Sequence, residues 1–119
     1  MNDLAYLMVE SGVDLDEALS LAQKAIQAAP EEPEMADTLA WIYFRKNLND
    51  SSLQILRGLV LKYPSRPSFR YHLAMALVRA GDGAAAKREF KKALSLNPPL
   101  ELQSEIEAAL SKCGQQCRH

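Results

Sequence analysis

Apolar side chains recur along most of the chain at intervals of three and four residues, which is the spacing of one face of an α-helix. The pattern predicts seven helical stretches. They cover about residues 2–11, 15–28, 34–46, 50–62, 67–80, 84–96 and 100–112. The chain is therefore predicted to be all-α.

The first six stretches form pairs that repeat every 34 residues. Pro30, Pro64 and Pro98 are each 34 residues apart, and Pro33 and Pro67 are separated by the same distance. The second and third pairs align without a gap, whereas the first has one extra residue in its turn, near residues 12–14. A period of this length is typical of a helix–turn–helix repeat.

Helix-ending signals fall at equivalent places in each period. Asp14 and Asp50 are predicted to cap second helices, because a short acidic side chain accepts hydrogen bonds from free amides. Asn47 and Gly81 are predicted to end first helices in the left-handed conformation. Agreement between the local signals and the period strengthens the prediction of three helix pairs.

Small and large residues also follow a fixed order in each repeat. The third repeat shows it best, at Ala74, Leu77, Gly81, Ala86, Phe90, Ala93 and Pro98. This order resembles the tetratricopeptide repeat (TPR) family over about residues 2–98. The second repeat departs from it at Ser52. The resemblance implies a right-handed α-solenoid of about three repeats, similar to the C-terminal repeats of bacterial multi-repeat proteins.

The segment after the third repeat is predicted to be a capping helix. Leu102, Ile106, Ala109 and Leu110 form one apolar stripe, with glutamates on the other faces. A single TPR domain is thus expected over residues 1–112, followed by a flexible tail over 113–119. Because the N-terminal edge has no such cap, we interpret the chain as the end of a longer array. That edge either forms a homodimer or docks an earlier repeat.

In the TPR family the first helices line a concave groove that receives a peptide or helix. The resemblance places the following residues in the partner-binding groove: Tyr6, Glu10, Asp37, Trp41, Phe44, Arg45, Tyr71, His72, Met75 and Arg79. Aromatic residues and arginines are the usual anchors of interfaces. The lysines with which one TPR subclass grips a chaperone tail are absent there, so we expect an apolar or mixed-charge ligand. The alternative function is architectural, as the end of a solenoid or a self-association module.

Composition and motifs argue against other classes of function. The net charge is −1, so no broad basic field is present to bind nucleic acid. No apolar run approaches the roughly 20 residues that cross a bilayer, so direct membrane insertion is not expected. The compartment, cytoplasmic or periplasmic, depends on the parent protein.

The chain is also not expected to be an enzyme. No pattern brings together a nucleophile, a base and an orienting partner, and no cofactor is predicted. No metal site is expected either, because Cys113, Cys117 and His119 fall short of four zinc ligands. A redox or metal role for this tail is the most distant alternative. The cations at 87, 88, 91 and 92 are interpreted as a solvated patch on a second helix.

Overall fold

The computed structural model describes residues 14–28 and 31–116, which form helices joined by short turns and contain no strand. Six helices lie within this part of the chain. They are α1 (Leu15–Ala28), α2 (Pro33–Arg45), α3 (Asn49–Lys62), α4 (Pro67–Arg79), α5 (Gly83–Ser95) and α6 (Leu100–Gln116). The predicted helix over residues 2–11 lies outside the described residues.

The last helix is longer than the sequence pattern predicts. The bounds of α1 to α5 match the predictions to within one residue, but α6 continues to Gln116 rather than ending at 112. The helix therefore includes residues 113–116, which the sequence pattern assigns to the tail. Cys113 lies two helical turns beyond the buried Ile106, is itself 2% exposed and takes part in a disulfide. Cys117 lies outside the described residues.

The turns after α2 and α4 share one hydrogen-bonding pattern. Asn47 has a φ of 63° and Gly81 a φ of 86°, which confirms that each adopts the left-handed conformation. In both turns the following amide donates to a carbonyl five residues back. These bonds run from Leu48 to Tyr43 at 2.8 Å and from Asp82 to Leu77 at 2.9 Å. They satisfy carbonyls that the end of a helix would otherwise leave without a donor.

The N-terminal caps agree with the sequence pattern at one predicted place and differ at the other. The Asp14 carboxylate accepts from the Glu17 amide at 3.0 Å, as predicted. The predicted cap at Asp50 is wrong, because α3 begins one residue earlier, at Asn49. Asp50 lies instead in the first turn, where the helix dipole stabilises a negatively charged side chain.

The chain divides into two compact units, Met1–Ile55 and Leu56–His119, with the division inside α3. In the first unit α1 packs against α2. Ala18 and Ala22 of α1 form a buried cluster with Ile42 of α2. An ion pair between Lys46 and Asp16 joins the end of α2 to the first turn of α1.

In the second unit α4 packs against α5, and α6 contacts both. Its core contains both alanines and large apolar side chains. The buried members include Phe69, Leu73, Ala74, Ala76, Leu77, Ala86, Phe90, Ala93 and Ile106. The outward face of α6 carries the exposed Glu101, Glu105 and Glu107, so this helix has the predicted amphipathic arrangement.

A membrane-crossing helix would need a long, apolar and nearly uncharged stretch. None of the helices in the described part of the chain meets that requirement.

Two glycines provide a test of the turn geometry. Neither Gly58, inside α3, nor Gly81 has an atom within 4 Å of where an added Cβ would lie. Gly81→Ala should lower the free energy of unfolding by about 1 kcal/mol, because alanine is strained at positive φ. Gly58→Ala should raise it by about 1 kcal/mol, because alanine is the better helix former. Urea titration of both variants checks the opposite signs, and two effects of the same sign would contradict the assignment of the turn.

A second test concerns Ser52, which stands where the other two repeats have alanine. It is fully buried, and its hydroxyl has no hydrogen-bond partner among the described residues. Ser52→Ala should raise the free energy of unfolding by about 1 kcal/mol, because a buried hydroxyl without a partner is destabilising. The exposed neighbour Ser51 provides the control, since Ser51→Ala should change stability by less than about 0.5 kcal/mol. A loss of stability in Ser52→Ala would show that the hydroxyl is bonded.

Candidate functional site

The predicted groove residues lie on one side of each first helix. On α2 they are Asp37, Trp41, Phe44 and Arg45, and on α4 they are Tyr71, His72, Met75 and Arg79. Within each set, steps of one, three and four residues keep the members within about 100° of the helix circumference, on one face. We call these sets the α2 stripe and the α4 stripe. The predicted members Tyr6 and Glu10 lie outside the described residues.

The centre of the α2 stripe is a pair of stacked rings. The Trp41 and Phe44 ring centroids are 4.9 Å apart, and the ring planes differ by 12°. Trp41 is half-buried and packs against the cluster of Ala18, Ala22 and Ile42. Phe44 is only 7% exposed, so it supports the indole from beneath and offers little surface to a ligand. The assignment of Phe44 to the partner-binding groove stays a prediction.

The two ends of the α2 stripe carry opposite charges. Asp37 is half-buried in the first half of the helix, and Arg45 is exposed at its last residue. A cation at this end is stabilised by the helix dipole. The α2 stripe therefore presents an indole between a carboxylate and a guanidinium.

The α4 stripe is anchored to its own helix pair through Tyr71. The Tyr71 ring lies 6.2 Å from the ring of Phe90, a fully buried residue of α5, and 5.5 Å from the ring of His72. Tyr71, His72 and Met75 are all half-buried. Arg79 ends the helix and is exposed, as Arg45 is on α2. Only part of the Tyr71 surface is consequently available to a ligand.

The sequence pattern missed the ion pair that holds α4 against α5 beside Tyr71. Arg70 contacts Glu89 at 2.7 Å, and its Nε donates to the carbonyl of Pro64 at 2.9 Å. The two charged side chains are only 12% and 16% exposed. The aligned positions in the second repeat hold Ala36 and Ile55, so no periodic signal marks the pair.

Metal-binding side chains do not cluster within the described residues. No group of three or more histidine, cysteine, aspartate or glutamate side chains within the ranges 14–28 and 31–116 could hold a metal ion. The chemistry of the stripes is that of a contact surface, with aromatic, thioether and guanidinium groups.

The sequence also matches models of a known protein family. A tetratricopeptide repeat family model matches residues 8–78, more than half of the chain. A second tetratricopeptide repeat model matches residues 67–99. The chain belongs to the tetratricopeptide repeat family. No curated protein sequence matches the chain.

Solved TPR structures share this fold. The type III secretion chaperone SycD of Yersinia enterocolitica, in complex with a peptide of the translocator YopD, has a TM-score of 0.78 at 18% identity. The match covers 97% of this chain and 90% of SycD. PcrH in complex with the chaperone binding region of PopD has a TM-score of 0.78 at 20% identity, with 96% and 88% covered. The first TPR of Spaghetti (RPAP3), bound to the HSP90 peptide SRMEEVD, has the same score and identity, with 96% and 87% covered. These similarities confirm the predicted all-α repeat fold.

The Arg70–Glu89 pair can be tested by a double-mutant cycle. Arg70→Leu or Glu89→Leu alone should lower the free energy of unfolding by about 2–3 kcal/mol, because each leaves a poorly solvated charge without its partner. The double variant should lose clearly less than the sum of the two. Arg88→Leu, at an exposed position on α5, is the control and should lie within about 0.5 kcal/mol of the parent. Strictly additive losses would show that the pair contributes no coupling.

Proposed function

We propose that the chain is a protein-interaction module that binds a peptide or helix of a partner protein through the first-helix stripes of its TPR repeats. The observation that carries the proposal is the stacked Trp41–Phe44 pair. A half-buried indole held by a buried ring is ordered before a ligand arrives, so binding loses little side-chain entropy. Tryptophan and arginine are also the residue types that dominate binding energy at interfaces.

The similar solved structures support the same function. SycD and PcrH share the fold over nearly the whole chain. SycD was solved with a peptide of the translocator YopD, and PcrH with the chaperone binding region of PopD. Folds alone do not determine ligands, so the residues on the stripes decide which peptide is bound. These residues favour a segment with apolar side chains and both kinds of charge. Each stripe combines apolar surface with a terminal arginine, and the α2 stripe adds the carboxylate of Asp37.

An acidic tail peptide of the kind bound by the first TPR of Spaghetti (RPAP3) fits the stripes less well. The positions that correspond to the tail-gripping residues of that TPR subclass hold Asp37, Trp41, Tyr71 and Met75. One of these is a carboxylate and none is a lysine, so they provide no cation to hold a chain-terminal carboxylate. We infer that the partner segment is internal or apolar rather than an acidic terminus.

A peptide selected from a random helical library by display on the purified chain provides the ligand for a test. Trp41→Ala should weaken binding of that peptide at least tenfold, because it removes the central anchor. Arg79→Glu should weaken binding by a similar factor when the selected peptide carries an acidic side chain. Fluorescence anisotropy gives the dissociation constants, and circular dichroism verifies that each variant remains helical.

The control is Arg57→Glu, which makes the same change of charge at an exposed position on α3. Binding should be unchanged in this variant. If all three variants bind the selected peptide as tightly as the parent does, the stripes are not the binding surface.

The architectural alternative is supported by α6. This helix buries Ile106 and Cys113 on one side and exposes glutamates on the other, as a helix that closes a stack of repeats should. Light scattering of the parent measures self-association. A lasting failure of library selection, together with a concentration-dependent rise in mass, would favour this second function.

A further inference from the structure

One surface outside the stripes carries a concentrated charge. Lys87, Arg88, Lys91 and Lys92 of α5 follow one another at steps of one and three residues, so they share one side of the helix. Along the axis they span about 7.5 Å, at a rise of about 1.5 Å per residue. We call these four residues the basic face. Arg88, Lys91 and Lys92 are exposed and Lys87 is half-buried.

No described acid neutralises the basic face. The one acidic residue within this segment of α5 is Glu89, and its carboxylate is turned away to form the ion pair with Arg70. None of the four cations forms an ion pair with another described residue. The opposite side of α5 is fixed in the core by Ala86, Phe90 and Ala93, which have no exposed surface. The helix therefore holds four positive charges outward in a fixed arrangement.

The repeat fold does not require cations at these positions. The aligned residues are Leu53, Gln54, Arg57 and Gly58 in the second repeat, and Leu19, Ser20, Gln23 and Lys24 in the first. Each of those sets contains a single cation, yet both belong to described helices. The charge of α5 is thus a property of the third repeat alone, although its core positions fit the family pattern best.

The surroundings of the basic face restrict what could bind there. α6, which packs against α5, exposes Glu101, Glu105 and Glu107. The negative charges on this neighbouring helix disfavour an extended anionic surface such as a bilayer or a DNA duplex. α5 also contributes none of the exposed large hydrophobic residues, which a helix lying in a membrane interface needs. A short anionic segment needs to match only the roughly 7.5 Å of the basic face.

We propose that the basic face of α5 is a second docking surface, which binds a short acidic segment of a partner protein. The fitting segment is a helix with carboxylates at steps of one and three residues, since their spacing then matches that of the four cations. This surface is distinct from the first-helix stripes. A partner that contacts both would gain affinity from two linked sites.

The probe is a synthetic alanine-rich helical peptide that carries four glutamates in this spacing, together with a matched peptide in which glutamine replaces each glutamate. The parent chain should bind the glutamate peptide saturably and with an affinity that falls as salt is added. The glutamine peptide should bind at least tenfold more weakly. Absence of saturable binding of the glutamate peptide up to about 1 mM would overturn the proposal.

The decisive variant is the triple change Arg88→Gln, Lys91→Gln and Lys92→Gln. It should weaken binding of the glutamate peptide about tenfold, which is the combined effect expected for three exposed charge contacts. The control is the triple change Lys24→Gln, Arg57→Gln and Lys112→Gln, which removes the same charge from other exposed positions. Equal weakening in the two variants would overturn the proposal, because the effect would then reflect net charge alone.

Further binding measurements test other anionic ligands and distinguish the basic face from the stripes. Vesicles of phosphatidylserine and phosphatidylcholine and a DNA duplex should bind less tightly than the glutamate peptide, and tighter binding of either would overturn the proposal. Trp41→Ala should leave the glutamate peptide bound as in the parent, so that failure of the stripes and failure of the basic face are distinguished. If the triple glutamine variant does not fold, Lys92→Gln alone should weaken binding about twofold, and no change in that variant would contradict the proposal.

Discussion

Close approach of helix backbones at alanine is the constraint on which the rest of this structure depends. Ala18, Ala40, Ala74, Ala86 and Ala93 have no exposed surface, and each occupies a small-residue position of its repeat. A side chain of one carbon lets two helices come together without a gap, so a larger residue there would force them apart. Large side chains then fill the remaining volume, as Phe90 and Phe69 do in the second unit.

The alanine contacts also determine where a ligand-binding surface can lie. Trp41 follows Ala40 directly and Met75 follows Ala74, so each is rotated by about 100° from a buried helix face. The two positions are half-buried, which is the exposure expected at the edge of a packed face. Arg70 and Glu89 strengthen the same arrangement in the second unit, because they join α4 to α5 beside Tyr71. The stripes are thus consequences of the way the helices pack.

Periodic features could be predicted from the sequence, whereas features that belong to one repeat could not. The 34-residue period places five helices to within one residue and identifies the left-handed conformation of Asn47 and Gly81. It does not reveal the Arg70–Glu89 pair, whose aligned positions hold an alanine and an isoleucine. The extension of α6 through Cys113 lies beyond the last period, where no repeat provides a template. Phe44 is buried and stacks on Trp41, and residue spacing alone cannot show either feature.

The repeats provide their own control for function. Positions that maintain the fold hold small or apolar residues in every repeat, whereas the stripes and the outer face of the second helix change from one repeat to the next. Asp37 and Trp41 correspond to Tyr71 and Met75, and the single cation Arg57 corresponds to one of the four on α5. The repeat fold thus accepts different residues at these positions. If the stripes bind the partner as proposed, its identity is encoded at these variable positions, and each repeat offers it a different chemistry.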